Sequence, residues 1–358
     1  MQIFSTYPEL LERVEQTGRQ IRILGHAPDG SPIITVKTGG DKEPAVFITA
    51  GSHSTEHAGV SAAVALIEQL DTDHQVYVIP TRDPIGLNGY AYALSLGLGE
   101  TPEFDSFEEV ENILRDRGEI FYDEDGMVLS LIGDYGFATS RPAKHRPHPQ
   151  FGFYQQLRKI EKSHPELVQP FIGRRVYMSP GQSDVEGTGD FGRAYTLIVS
   201  PQGEVLHLNR FYDTAWAPVE VRCARRLMAE INPGISFDLH ESQLLGDRFW
   251  LSARHQQDEQ REAWEQRIAR ATIQAIADSG TTLSSDDYST SPWFTSSEKG
   301  VYWLNAKVRG EGLNLADYAA HVSSLAFGTE MGMYATFEKR FSLAMLTVQT
   351  AVKVFEEC

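Results

Sequence analysis

The stretch AVFITAGSHSTEHAGV, Ala45 to Val60, constrains the fold of this chain more than any other. It begins as a short apolar run, Ala45 to Ile48, of the kind a buried strand makes. The chain then breaks at Ala50-Gly51 and presents His53, Glu56 and His57 ahead of a helical pattern rich in Ala, Val and Leu, Gly59 to Leu70. A strand that ends in a tight turn and feeds a helix places that turn at the carboxyl edge of an open α/β sheet, where ligands collect. His53 and Glu56 can converge on one point there. An imidazole and a carboxylate without a thiol suit a catalytic zinc ion.

The rest of the chain extends the same architecture. Tyr7 to Glu15 reads as a first helix, with Leu10, Leu11 and Val14 on one side. Arg22–Gly25 and Ile33–Lys37 flank the turn signal Pro28-Asp29-Gly30 and read as a hairpin. Gln75–Pro80 is a second buried strand, followed by a Pro/Gly-rich loop, Arg82 to Tyr90. Residues from about 95 to 205 carry no strong period and read as an irregular insertion or lid around a site. Regular patterns resume with a helix over Pro218–Ile231, a strand Ile235–Leu239 ending at His240, a charged helix over Gln256–Ala277, a strand Met333–Phe337 and a closing helix over Phe341–Glu356. Alternating strands and helices predict a single α/β domain over 1–358, a three-layer α/β/α arrangement on a mixed, mostly parallel central sheet.

Composition narrows the function classes. A formal charge of −17 argues against nucleic acid and against an anionic membrane surface as partners. No apolar run approaches the roughly 18–20 residues of a membrane span. The two cysteines, Cys223 and Cys358, form no CxxC motif and imply no disulfide framework. The opening MQIFSTYPELLERV lacks the basic and apolar regions of a signal peptide, so the expected setting is cytoplasmic.

Three strand ends carry chemistry: His53 with Glu56, His240, and Glu338. Two ligands close together and a third far along the chain give a His2Glu set with one position left for water. Bound in this way, a zinc ion lowers the pKa of water toward ~7 and polarises a carbonyl. A further carboxylate must take the proton and hand it to the leaving amine. Glu338 is the candidate, because it follows an expected strand and precedes the last helix; Glu330, in Gly328-Thr-Glu-Met-Gly332, is its rival. His57 reads as a supporting or structural histidine.

These residues fall in an order that resembles the zinc carboxypeptidase (carboxypeptidase A-like) family nearly end to end. Gly25-His-Ala-Pro-Asp-Gly-Ser-Pro-Ile33 resembles that family's hairpin, with Ser31 where the family has arginine. His53–Glu56 matches its HxxE pair, Asp83-Pro-Ile-Gly86 its Asn-Pro-Asp-Gly loop in part, Asn209-Arg210 its substrate-binding pair, Asp238-Leu-His240 its third ligand and Thr336-Phe-Glu338 its final motif. The resemblance implies that His53, Glu56 and His240 bind one zinc ion per chain and that Glu338 is general base and acid. It also implies that Asn209 and Arg210 hold the substrate's terminal carboxylate, a task guanidinium performs with two parallel hydrogen bonds. Asp238 is placed to orient a ligand. For the arginine that polarises the scissile carbonyl, Arg193 is the choice, with Arg174, Arg175 and Arg141 competing. Tyr302 and Tyr318 are both open for the family's mobile tyrosine, and the side-chain pocket is expected within 295–332.

The expected activity is hydrolysis of an amide bond beside a free carboxylate, most simply by a metallocarboxypeptidase acting on peptides. The alternative is an N-acyl amino acid deacylase of the aspartoacylase and succinylglutamate desuccinylase type. Such enzymes usually carry a further β-rich domain after the catalytic glutamate, and the 20 residues that follow Glu338 favour the peptidase. A second alternative is a metal- or substrate-binding protein without catalysis, which would have no need of a carboxylate that does not bind metal.

Overall fold

The computed structural model describes residues 1–144, 149–181, 185–187, 189–256, 258–284, 294–304, 312–322 and 324–358. Fifteen strands lie among them: β1 (Gln20–His26), β2 (Pro32–Gly39), β3 (Lys42–Ala50), β4 (His74–Ile79), β5 (Glu119–Glu124), β6 (Met127–Ile132), β7 (Tyr135–Ser140), β8 (Arg175–Met178), β9 (Tyr195–Val199), β10 (Val205–His207), β11 (Ile235–Ser242), β12 (Phe249–Arg254), β13 (Phe294–Glu298), β14 (Val301–Leu304) and β15 (Leu325–Gly332). Nine of them form one mixed sheet in the order β1-β2-β4-β3-β11-β15-β12-β14-β13. The strands at its centre, β4, β3, β11 and β15, run parallel, while the hairpin β1–β2 and the pairs β12–β15 and β13–β14 are antiparallel.

Alternation along these strands separates two apolar layers, because successive side chains leave a strand on opposite faces. One face buries Val46, Ile48, Phe237, Leu239 and Phe327 with Val60 and Leu66 of the helix His57–Gln69, Ile268 of Glu259–Asp278 and Val348 of Phe337–Phe355. The other buries Phe47, Ile79 and Ala326 against Val221 and Leu227 of the helix Val219–Ile231 and Leu315 of the helix Leu315–His321. This is the three-layer α/β arrangement expected. Leu10 and Val14 of the first helix, Tyr7–Gln16, join the first layer, with Thr6 capping that helix by accepting from Glu9 N.

The segment from 95 to 205 is more regular than its sequence indicates. It holds a second sheet, β10-β9-β8-β7-β6-β5, antiparallel except for β7–β8. Its core packs Met127, Leu129, Val176 and Leu197 against Phe153 and Leu157 of the helix Pro149–Ser163. Strands of three to six residues give little periodic signal; an acidic helix, Phe107–Arg117, precedes them and the helix Pro149–Ser163 interrupts them.

One boundary matters for the site. The last strand is Leu325–Gly332, not Met333–Phe337. Thr336 caps the closing helix, its hydroxyl accepting from Lys339 N, and Glu338 falls in the first helical turn. A threonine followed by a glutamate near the start of an apolar-periodic segment is a helix-start signal, and the capping bond prevails over the strand propensity of Met333–Phe337.

Candidate metal centre

The turn after β3 is set by Gly51, at φ +62°, where a Cβ would lie 2.3 Å from Thr81 Oγ1. Only glycine takes that conformation freely, and it turns the chain inward over the sheet edge. His53 and Glu56 follow, tied locally by Glu56 N donating to His53 O at 3.1 Å. His240 arrives on β11, beside β3 in the parallel sheet. His53, Glu56 and His240 each offer one ligand atom, all within 4.8 Å of one another. Glu56 bridges the two rings, Oε1 lying 2.6 Å from His53 Nδ1 and Oε2 2.7 Å from His240 Nδ1. All three are buried. Two imidazole nitrogens and a carboxylate aimed at one point form a donor set that fits zinc.

Electrostatics agree with that geometry. Burial alone would raise the Glu56 carboxyl, yet His53 and His240 bring it down to about 2, so it is an anion facing two imidazoles. Burial works against a charge on His240, but Asp238 and Glu56 hold its pKa well above the usual histidine range. A divalent cation would take over the attraction that a proton supplies at this point.

A second layer of contacts fixes the rings from behind. Asp238, two residues before His240 and therefore on the same strand face, has Oδ2 2.9 Å from His240 Nε2. Its carboxylate accepts two hydrogen bonds from Nη2 of the buried Arg82, at 2.7 and 2.9 Å. Asn209 Nδ2 lies 2.8 Å from His240 Nε2, while its Oδ1 accepts from Leu315 N at 3.1 Å. His53 turns Nε2 to His207 Nδ1 at 2.7 Å and stacks on Tyr195, with ring centroids 5.2 Å apart.

The other predicted residues are distributed unevenly. Arg210 is half-buried, donates to Asn209 O at 2.9 Å, and its charge is felt by His53, His207 and Glu330. Asn209 is buried beside His240, its Oδ1 also accepting from Arg82 Nη1 at 3.4 Å. Arg193 is not brought to the cluster. Its guanidinium donates to the carbonyls of Phe4, Ser5 (3.2 Å), Leu87 (3.4 Å) and Gly192 (2.7 Å), tying the chain start to the second sheet's flank. Arg175 pairs with Glu220, Arg141 with Glu111, and Arg174 with Asp134. Tyr302 is fully buried against Trp250, and Tyr318 packs on Tyr212. Part of the expected pocket segment, 305–311 and 323, lies outside the described residues. His57 sits between the carbonyls of Thr55 (3.1 Å) and Glu186 (3.0 Å) and stacks on Phe337, a structural place.

Glu338 is solvent-exposed on the closing helix, whereas Glu330 stands on β15 directly across from His240 in the parallel register. Burial, with Glu56 adding to it and His240 opposing it, pushes the Glu330 carboxyl up to about 8. The strand boundary described above puts Glu330, and not Glu338, beside His240. His207, Tyr195 and Arg82 are not among the residues read from the sequence. His207 ends a short strand just before the Asn209-Arg210 pair, and that proximity was the available signal.

No protein-family model matches the chain, and no curated protein matches it in sequence. Its fold does match solved structures. Bovine thrombin-activatable fibrinolysis inhibitor, in complex with tick carboxypeptidase inhibitor, aligns over 100% of this chain and 99% of its own, with a TM-score of 0.52 at 10% identity. A metallo-carboxypeptidase from Burkholderia cenocepacia aligns over 97% of this chain and 68% of its own, with a TM-score of 0.50 at 12% identity. One from Pseudomonas aeruginosa, in complex with (2-guanidinoethylmercapto)succinic acid, aligns over 98% and 68%, again at 0.50 and 12%. The chain therefore has the fold of the metallo-carboxypeptidases. On that fold it carries a His–Glu–His cluster able to hold a metal ion.

Proposed function

We propose that this chain is a zinc-dependent hydrolase of amide bonds beside a free carboxylate, acting as a carboxypeptidase on peptides. The observation that carries the reading is the convergence of His53, Glu56 and His240 with a half-buried glutamate, Glu330, across the register from His240. The ion, when bound, acidifies water and polarises a carbonyl oxygen. Glu330 is the proton carrier: it accepts a proton from the attacking water and returns it to the leaving nitrogen. A carboxyl pushed toward neutrality by burial is suited to both halves of that exchange. Arg210 is the group that pairs with the substrate's terminal carboxylate, since its charge reaches the cluster and its guanidinium matches carboxylate geometry. Gly312, at φ +118°, packs so tightly on Arg210 that a Cβ would lie 2.2 Å from Arg210 O, which fixes where this arginine starts. Arg82 and Asp238 hold His240 in place.

Paired variants test the assignment. Glu330→Gln should keep zinc and lose about 10²–10⁴-fold in kcat/KM on blocked dipeptides with free C-termini. Glu338→Gln, on the exposed helix start, should stay near wild type. Full activity in Glu330→Gln would remove this glutamate from the mechanism. Turnover of N-acetyl and N-succinyl amino acids alone, with dipeptides untouched, would move the reading to a deacylase.

A further inference from the structure

The short step from His207 to Asn209 touches the far nitrogen of both ligating imidazoles. His207 Nδ1 meets His53 Nε2 at 2.7 Å, and Asn209 Nδ2 meets His240 Nε2 at 2.8 Å. His207 ends β10 in the second sheet and is buried, with Tyr154 of the helix Pro149–Ser163 set edge-on to its ring at 5.4 Å. The last strand of the second sheet thus reaches behind the metal centre. We propose that His207 is a positioning residue of this centre: its Nδ1 accepts the Nε2–H of His53 and so holds His53 with the Nδ1 lone pair directed at the metal. This rests on the reading that His53, Glu56 and His240 are the ligands.

Proton bookkeeping leaves one arrangement. A neutral His53 that gives its Nδ1 lone pair to a cation carries its proton on Nε2. The nitrogen 2.7 Å away must then accept, so His207 carries its own proton on Nε2. Metal-bound histidines usually donate to a carboxylate, a backbone carbonyl or water. His240 follows that pattern through Asp238, whereas His53 is backed by an uncharged imidazole. The contact therefore fixes ring orientation and tautomer without adding a second negative charge beside Glu56.

The test is zinc affinity, measured by competition with a chromophoric chelator, for wild type, His207→Leu, His207→Asn and His207→Gln. Leucine fills the space without an acceptor and should weaken binding about 10–100-fold. Asparagine can present its amide oxygen where Nδ1 lies and should recover most of that loss; glutamine carries the oxygen one bond further and should not. Wild-type affinity in His207→Leu would overturn the inference. If the leucine variant fails to fold, equal affinities of the asparagine and glutamine variants would overturn it instead. The unfolding temperature of the metal-free proteins separates a packing defect, which lowers it without regard to the acceptor. A wild-type chain that takes up no zinc would overturn the ligand assignment itself and the role of His207 with it.

Discussion

At the scale of single residues, the centre depends on a chain of partners more than on its three ligands alone. Asp238 accepts from Arg82 and faces His240, and burial, overcome by Arg82 and His240, leaves its carboxyl well below the usual range. Asp238→Asn should weaken zinc binding about 10–100-fold in chelator competition. It should also destabilise the fold measurably, because Arg82 would keep its buried charge with half a partner. An unchanged zinc affinity would confine Asp238 to a structural role. Glu330 gives a pH prediction. In the metal-free protein its carboxyl sits at about 8; a nearby bound cation favours the ionised form, so the acid limb of kcat/KM should fall below that value. The rate rises with pH along this limb, as a base must lose its proton to act. Glu330→Gln should flatten it in the residual rate.

At the scale of elements, strands and helices with a clean period were legible and short or capped ones were not. Ala45–Ile48 and Val76–Ile79 are continuous apolar runs, Ile235–Leu239 alternates apolar with polar residues, and all three lie at the centre of the sheet. His53, Glu56 and His240 were readable because they end such runs. Glu330 ranked behind Glu338 in the sequence because Gly328-Thr329 breaks the apolar pattern of β15, while Met333–Phe337 mimics a strand. The second sheet was missed because its strands are short and turn-bounded. The helix Glu259–Asp278 carries a further device, Glu265, fully buried, whose carboxyl accepts from Arg254 N at 2.9 Å and from Ala326 N at 3.2 Å. Burial, only partly offset by those amides, raises its pKa to about 8. The folded state therefore binds a proton that the unfolded chain, with a carboxyl near ~4.3, releases, and this group's contribution to stability falls as pH rises between those values. Thermal unfolding across pH 5 to 8 should show a steeper decline for wild type than for Glu265→Gln; parallel curves would rule the effect out.

At the scale of the molecule, buried ionic contacts join the layers around the site. Arg340 of the closing helix pairs with Glu241 beside His240, and its guanidinium also donates to Ala335 O and Glu186 O. Glu241 in turn accepts from Ala58 N and Gly59 N at the start of the helix His57–Gln69. Arg340→Leu leaves Glu241 buried without its cation and should cost about 3–5 kcal/mol in denaturant unfolding; a loss within ~0.5 kcal/mol, the range of ordinary surface changes, would show that the pair is not a structural lock. Arg193 does the same at the other flank, binding Phe4 and Ser5 carbonyls to the segment that leads into β9. Both sheets are thereby held against one metal centre. The most direct measurement is release of the C-terminal residue from a blocked dipeptide by the zinc-loaded protein, before and after chelation. Release should stop on removal of the metal and return when zinc is restored. Release that continues undiminished in the chelated protein, or none from any dipeptide by protein shown to carry zinc, would contradict the proposed function.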